Sequence, residues 1–204
     1  ILDIELMKII KLSSKEFDSY SNEIAKLHKC NYPNDHISSS LPITLLKNLY
    51  GILLKNAKLT FLAFDQKDKV IGIVIGGLYP KFLLLRLIIK SPISFMYFVF
   101  KKFPIIFTKI KKDLAKENTQ KYESKYKELR ILSIVVDSES KNMVGTMLEK
   151  KLSNNLSKAG FAYIGLSVKN TNKRAVNFYL KNDYVVEHKN NDLTYMFKIL
   201  KNNN

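Results

Sequence analysis

One cysteine, Cys30, stands in 204 residues, so no internal disulfide can form and no thiolate cluster can hold zinc. Three scattered histidines argue equally against a metal enzyme, and no metal site is expected. So few thiols fit a reducing, cytoplasmic setting. Arginine is scarce, the lysines are spread along the chain, and no nucleic-acid motif occurs, so no specific nucleic-acid partner is expected. Residues 82–100 are very apolar, but Arg86, Lys90 and Pro92 interrupt them, whereas a membrane span needs ~20 uninterrupted apolar residues. No signal peptide is evident. Met7-Lys8-Ile9-Ile10 reads as a natural start, with residues 1–6 as upstream sequence. There is no internal repeat.

What is present is a large apolar fraction, 46%, in a length that suits one α/β domain over residues 1–204 with an insertion. The formal net charge of +16 favours anionic partners such as phosphorylated cofactors, nucleotide-linked substrates, nucleic acid or an anionic membrane. Lysines on solvated faces would account for it equally well.

In chain order, Met7 to Leu12 reads as a first strand. Ser13-x-x-Glu16 is a capping box, followed by Phe17, Tyr20, Ile24 and Leu27 at helical spacing, which predicts a helix over about 14–29. A polar loop, 31–40, contains Tyr32, Asp35 and His36. A second helix is expected with Ser39 or Ser40 as cap, Pro42 in its first turn, and Ile43, Leu46, Leu49, Tyr50 and Leu53 on its apolar face. Leu59–Phe64 and Val70–Leu78 form a hairpin across a five-residue polar turn, and Gly72, Gly76 and Gly77 allow close approach or a bulge.

Residues 80–127 form a long insertion in which apolar residues alternate with lysines. Three readings stay open for 82–112: a helical hairpin packed on the domain, a homodimer contact, or a peripheral helix at a membrane surface. A lid over the substrate is a further one.

The organising stretch is Leu132 to Tyr184. A strand, Leu132 to Asp137, leads through the turn Ser138 to Asn142 into a helix carrying Val144, Met147, Leu148, Leu152 and Leu156, which Gly160 ends. The strand Ala162–Val168 follows, and then Asn172-x-x-Ala175-x-x-Phe178-Tyr179. Tyr184–Glu187 and Leu193–Leu200 read as a closing hairpin. Strand, turn, helix, strand is a βαβ unit whose first turn aims backbone N–H groups at one point, which suits a phosphate.

These two motifs resemble the GNAT superfamily of acyl-CoA-dependent N-acetyltransferases, and in particular a bacterial subgroup with a long basic-aromatic insertion. The resemblance implies an α/β fold with a mixed, mostly antiparallel central sheet, splayed at a bulge and flanked by helices, with 80–127 as a helical insertion. It implies acetyl-CoA as cofactor, held by backbone N–H groups of Ile134, Val135 and Val136 and by those of Lys141, Asn142, Met143, Val144, Gly145 and Thr146 around the pyrophosphate. Asn172 would meet the pantetheine arm beside Ala175, and Tyr179 would protonate the leaving thiolate. Gly165 would suit a sheet that opens around that arm, or simple packing.

The turn departs from the family pattern. Ser140 replaces Arg/Gln, Met143 replaces the first Gly, and Asp183-Tyr184 replaces the Gly-Phe after the Tyr helix. Losing one charge-assisted bond at Ser140 costs about 1 kcal/mol of affinity, unless Lys141 substitutes for it.

Tyr32, Asp35 and His36 lie where the family binds its acceptor, and Asp35, His36 or Glu128 is available as a base. The expected reaction is acetyl transfer to a primary amine of a small substrate. The run His36 to Tyr50, with the insertion, is similar to the subgroup associated with cell-surface polysaccharide genes, which implies an amino sugar. Transfer to a protein N-terminus or lysine, and a catalytically silent CoA-binding interaction module, are the alternatives.

Overall fold

The computed structural model describes residues 7–33, 36–101, 122–140 and 143–200. Asp35, Lys141, Asn142 and residues 102–121 of the insertion lie outside them. Seven strands, β1 (Lys8–Lys11), β2 (Ala57–Phe64), β3 (Val70–Gly77), β4 (Arg130–Val136), β5 (Tyr163–Lys169), β6 (Val185–Lys189) and β7 (Leu193–Ile199), form one sheet. Their order is β1-β2-β3-β4-β5-β7-β6, antiparallel throughout except where β4 meets β5.

The capping box closes as the sequence predicts. Glu16 Oε2 accepts from both the Ser13 N–H (3.0 Å) and the Ser13 Oγ (2.6 Å), and Ser13 Oγ accepts from the Glu16 N–H. Helix α1 (Phe17–Asn31) therefore starts one turn later than the box itself. Helix α2 (Ile43–Lys55) corrects one expectation. Ser39 and Ser40 belong to a 3-10 turn over Ile37–Ser40, and Pro42 sits at the N-cap. The proline ring presets the backbone there, so no serine cap is needed.

Two further helices, α3 (Leu83–Lys90) and α4 (Pro92–Lys101), fill the described part of the insertion. No single described helix is long and apolar enough to cross a membrane. Helices α5 (Val144–Lys158) and α6 (Lys173–Lys181) complete the set, and Gly160, at φ 83°, ends α5.

The sheet is covered on both faces, which is why β3 is buried along its whole length. On one face Leu148, Leu152 and Leu156 of α5 pack on Phe61, Ala63 and Val74. Here Gly72 and Gly76 are required. A Cβ would stand 2.7 Å from Leu148 Cδ1 and 2.9 Å from Leu152 Cδ1 respectively, so side chains there would lift the helix off the sheet. On the other face α1 and α2 bring Phe17, Ile24, Tyr50 and Leu53 onto Leu62, Ile73, Ile75 and Val135.

Candidate active site

A bulge and a gap create the site. Ile75 pairs with Ser133 and the next residue, Gly76, with Ile131, so Leu132 is an extra residue on β4. The bulge thus lies in the first half of β4. Strands β4 and β5 stay together only at Arg130 and Gly165, where the Gly165 N–H donates to the Leu129 carbonyl (2.9 Å). Beyond that point they separate. Gly165 itself is explained by packing, because a Cβ there would lie 2.3 Å from the Tyr126 carbonyl oxygen.

The strand's hydrogen bonding sets which groups face the gap. The Asp137 N–H donates to the Ile71 carbonyl on β3, and alternation turns Val135 the same way. The N–H groups of Ile134 and Val136 therefore point into the gap. Val135 faces its partner strand, and its side chain is buried against α1 and α2.

The gap opens into a cavity of about 760 Å³. It brings together Tyr32 and His36, Ile134 to Val136, Gly145 and Thr146, and Asn172, Ala175, Phe178 and Tyr179. Met143 and Val144 are not on its wall. Met143 is exposed, and Val144 is buried in the core under α5. Glu128 also lies off the wall and accepts from the Tyr163 hydroxyl at 3.4 Å.

The first turn of α5 contributes N–H groups that lack an intrahelical acceptor, since Met147 is the first residue bonded back, to the Met143 carbonyl. Gly145 keeps this end open, because a Cβ would come within 3.2 Å of the Phe178 ring. Asn172 caps α6 by accepting from the Ala175 N–H (3.1 Å), which leaves its amide nitrogen for a ligand. Asp183, where the family has Gly, sits at φ 65°, the left-handed conformation that favours glycine.

Tyr179 is buried, with its ring edge-on to Tyr184 at 5.3 Å. Burial raises its phenol well above the usual range, and the nearby Tyr32 and Glu149 add to the rise. The group stays protonated at every physiological pH.

Four residues the sequence reading did not single out share the wall: Ser133, Arg174, Lys181 and Asn182. Asn182 is buried. Its amide donates to the Phe178 carbonyl (2.8 Å), while its oxygen is buried with no hydrogen-bond partner. Arg174 and Lys181 are seven residues apart on one exposed face of α6, a spacing visible in the sequence.

Ser133 ends a buried chain of hydrogen bonds whose direction can be deduced. The Ser38 N–H donates to His36 Nδ1 (3.3 Å), so that nitrogen carries a lone pair, and the Ser38 hydroxyl also donates to it (2.7 Å). Ser38 Oγ then accepts from His28 Nε2–H (3.0 Å), leaving His28 Nδ1 to accept from the Tyr50 hydroxyl (2.9 Å). The Tyr50 oxygen accepts in turn from Ser133 (3.1 Å). Ser133 thus presents lone pairs to the cavity. Tyr32 stacks on His28 with ring centroids 4.1 Å apart, tying the loop after α1 to the same chain.

Burial, helped by His36 and Lys29, pulls His28 down to about 4. Its value in the unfolded chain is about 6.5. The unfolded state therefore binds the extra proton first as pH falls. Stability from this group is complete above about pH 6.5 and is lost toward pH 4, by about 3 kcal/mol. Urea unfolding at pH 7 and pH 4.5 should show this loss in the wild type, and a smaller one in His28→Gln.

No protein-family model matches the sequence, and no curated protein is similar to it. Solved structures are. PH1933 from Pyrococcus horikoshii OT3 superposes with a TM-score of 0.62 at 19% identity, over 96% of this chain and 99% of that one. The PaiA N-acetyltransferase from Thermoplasma acidophilum, in complex with coenzyme A, gives 0.57 at 14%, over 95% and 98%. An acetyltransferase of the GNAT family from Streptococcus pneumoniae gives 0.54 at 17%, over 96% and 99%. With the strand order, the bulge and the gap between β4 and β5, these likenesses show that the chain has the fold of the GNAT superfamily of acetyltransferases.

Proposed function

We propose that this protein is an N-acetyltransferase that moves an acetyl group from acetyl-CoA to a primary amine of a small molecule, by direct attack on the thioester. The observation that carries this reading is the gap between β4 and β5, with the outward N–H groups of Ile134 and Val136 on one edge and the Tyr179 phenol in the same cavity. Acetyl-CoA supplies the activated acetyl group. The chain's own residues fit it: the first-turn N–H groups of Gly145 and Thr146, with Arg174 and Lys181, suit phosphates, and the Asn172 amide nitrogen suits an amide-bearing arm.

In this reading the backbone donors of β4 meet the carbonyl oxygen where negative charge develops. Tyr179 gives its proton to the departing sulfur, and the proton that the nitrogen sheds on becoming an amide leaves to solvent through the open cavity, from which the phenol is reprotonated. Ser133 receives an N–H of the incoming amine and orients it, because its own proton is committed to Tyr50. The stacked Tyr32 and the neighbouring His36 supply a flat, polar-edged wall that suits an amino sugar.

Calorimetric titration with acetyl-CoA tests the first part. Binding in the micromolar range is expected, weakened about tenfold or more by Gly145→Trp, which drives a side chain into Phe178. Absence of binding at millimolar acetyl-CoA would favour a GNAT-like interaction module without the cofactor. If binding holds, an acceptor screen begins with amino sugars.

A further inference from the structure

Helices α3 and α4 meet at 109°, with Ser91 at the corner accepting from the Asn48 amide of α2. Each helix sends one large side chain fully into the fold, Leu87 and Phe98, which join Leu41, Leu45 and Leu46. Most of the other apolar side chains face out. Fifteen large hydrophobic residues are exposed among the described ones, and ten of them lie between 78 and 100. Ile93 is 83% exposed, Phe82 76%, Phe100 74% and Ile89 72%. Phe82 is also held at φ 55°, a backbone state unfavourable for an aromatic residue, with its ring in solvent.

The charges that this stretch of chain carries are all of one sign. Lys81, Arg86, Lys90 and Lys101 are exposed among them, and the sequence has no acidic residue between Asp68 and Asp113. We propose that this face docks on an anionic lipid bilayer, with α3 and α4 lying in the headgroup region and their outward side chains reaching the acyl boundary. Neither helix can span, being eight and ten residues long, so the contact is interfacial.

A second copy of the chain fits this face poorly. A two-fold contact would set the patch against itself, bringing the same cations together with no carboxylate from the described helices α3 and α4 of either copy to balance them. Lysine is also depleted at the centre of protein interfaces, whereas anionic headgroups complement it. Leu41, which helps seat the insertion, ends the loop whose Tyr32 and His36 line the cavity. The docking stands on its own and does not depend on acetyl transfer.

The test uses the full chain with vesicles of phosphatidylcholine, alone or mixed with phosphatidylglycerol, read by co-sedimentation. Binding to the mixed vesicles and not to the neutral ones is expected. It should weaken about tenfold with Ile93→Asp, and by a similar factor with Lys90→Gln combined with Lys101→Gln. Both changes fall on exposed positions, so the melting temperature should hold, and acetyl-CoA titration of the same samples reports separately on the cofactor site. Failure to bind mixed vesicles by protein that still binds acetyl-CoA overturns the docking alone. Vesicle binding indifferent to Ile93→Asp also overturns it, as does a dimer, seen by light scattering, that Ile93→Asp dissolves in the absence of vesicle binding.

Discussion

Tyr179→Phe is expected to lower turnover by about a hundredfold while leaving acetyl-CoA affinity within about twofold. The ring is packed against Phe178 and Tyr184, so keeping the ring and deleting only the hydroxyl should leave the fold and the melting temperature unchanged. In the proposed reaction what disappears is the proton donor. Burial, with Tyr32 and Glu149 nearby, raises the phenol's affinity for its proton, which keeps the group protonated and excludes a base, while the proton moves only as charge builds on the departing sulfur. The sign gives a second readout. Because the group does not ionise in the accessible range, an alkaline fall in wild-type activity should not arise from it. Turnover of the variant should also be partly restored with acyl donors whose leaving thiol is more acidic and needs less protonation. Unchanged turnover with acetyl-CoA would reduce Tyr179 to a core residue of α6.

The fold was readable where a single segment carries its own pattern. The α5 stripe Val144, Leu148, Leu152 and Leu156 is regular, and the capping box at Ser13 and Glu16 closes as written. The motif Asn172 to Tyr179 marks its short helix, while the capping by Asn172 and the burial of the phenol show only in the structure. What pattern cannot state is a relation between segments. The bulge at Leu132 exists only in register with β3, and the gap exists only because β4 and β5 part after Arg130.

The side of the cavity under α1 and α2 shows the same limit. His28 reads as an ordinary position late in a helix and Tyr50 as one more apolar contact, yet they join Ser38 and Ser133 from four separate places in the chain. No local signal marks such a chain, since each link depends on how α1 and α2 lie on the sheet. His36 was singled out and does reach the cavity wall, and the reason Ser133 is oriented traces back to its imidazole. Glu149 is the plainest case. Beside Leu148 on a lysine-rich helix it reads as a solvated position, and Met147 as the core one. The structure has Glu149 buried and Met147 half-buried, because Lys198 of β7 comes to meet the carboxylate.

Lys198→Met should therefore destabilise the protein by about 3–5 kcal/mol, the usual cost of leaving one partner of a buried ion pair alone. The Glu149 side chain is fully buried. Its Oε1 accepts from Ser153 Oγ (2.5 Å), the Tyr184 hydroxyl (3.1 Å) and Lys198 Nζ (3.1 Å), and its Oε2 lies 3.2 Å from the same ammonium. Lys198 alone among these partners carries a compensating charge. Without it the carboxylate is left buried and uncompensated, held only by the Ser153 and Tyr184 hydroxyls. Glu149→Leu combined with Lys198→Met removes both charges and should recover most of the loss, since the pair itself contributes little net energy once its desolvation is counted. Tyr184, which donates to Glu149, also carries the ring against which Tyr179 rests, so Lys198→Met should lower turnover beyond what the unfolded fraction explains. Urea unfolding of the single and double variants at pH 7 measures the stability effects. A loss under 1 kcal/mol at pH 7 would mean that water or another cation reaches the carboxylate.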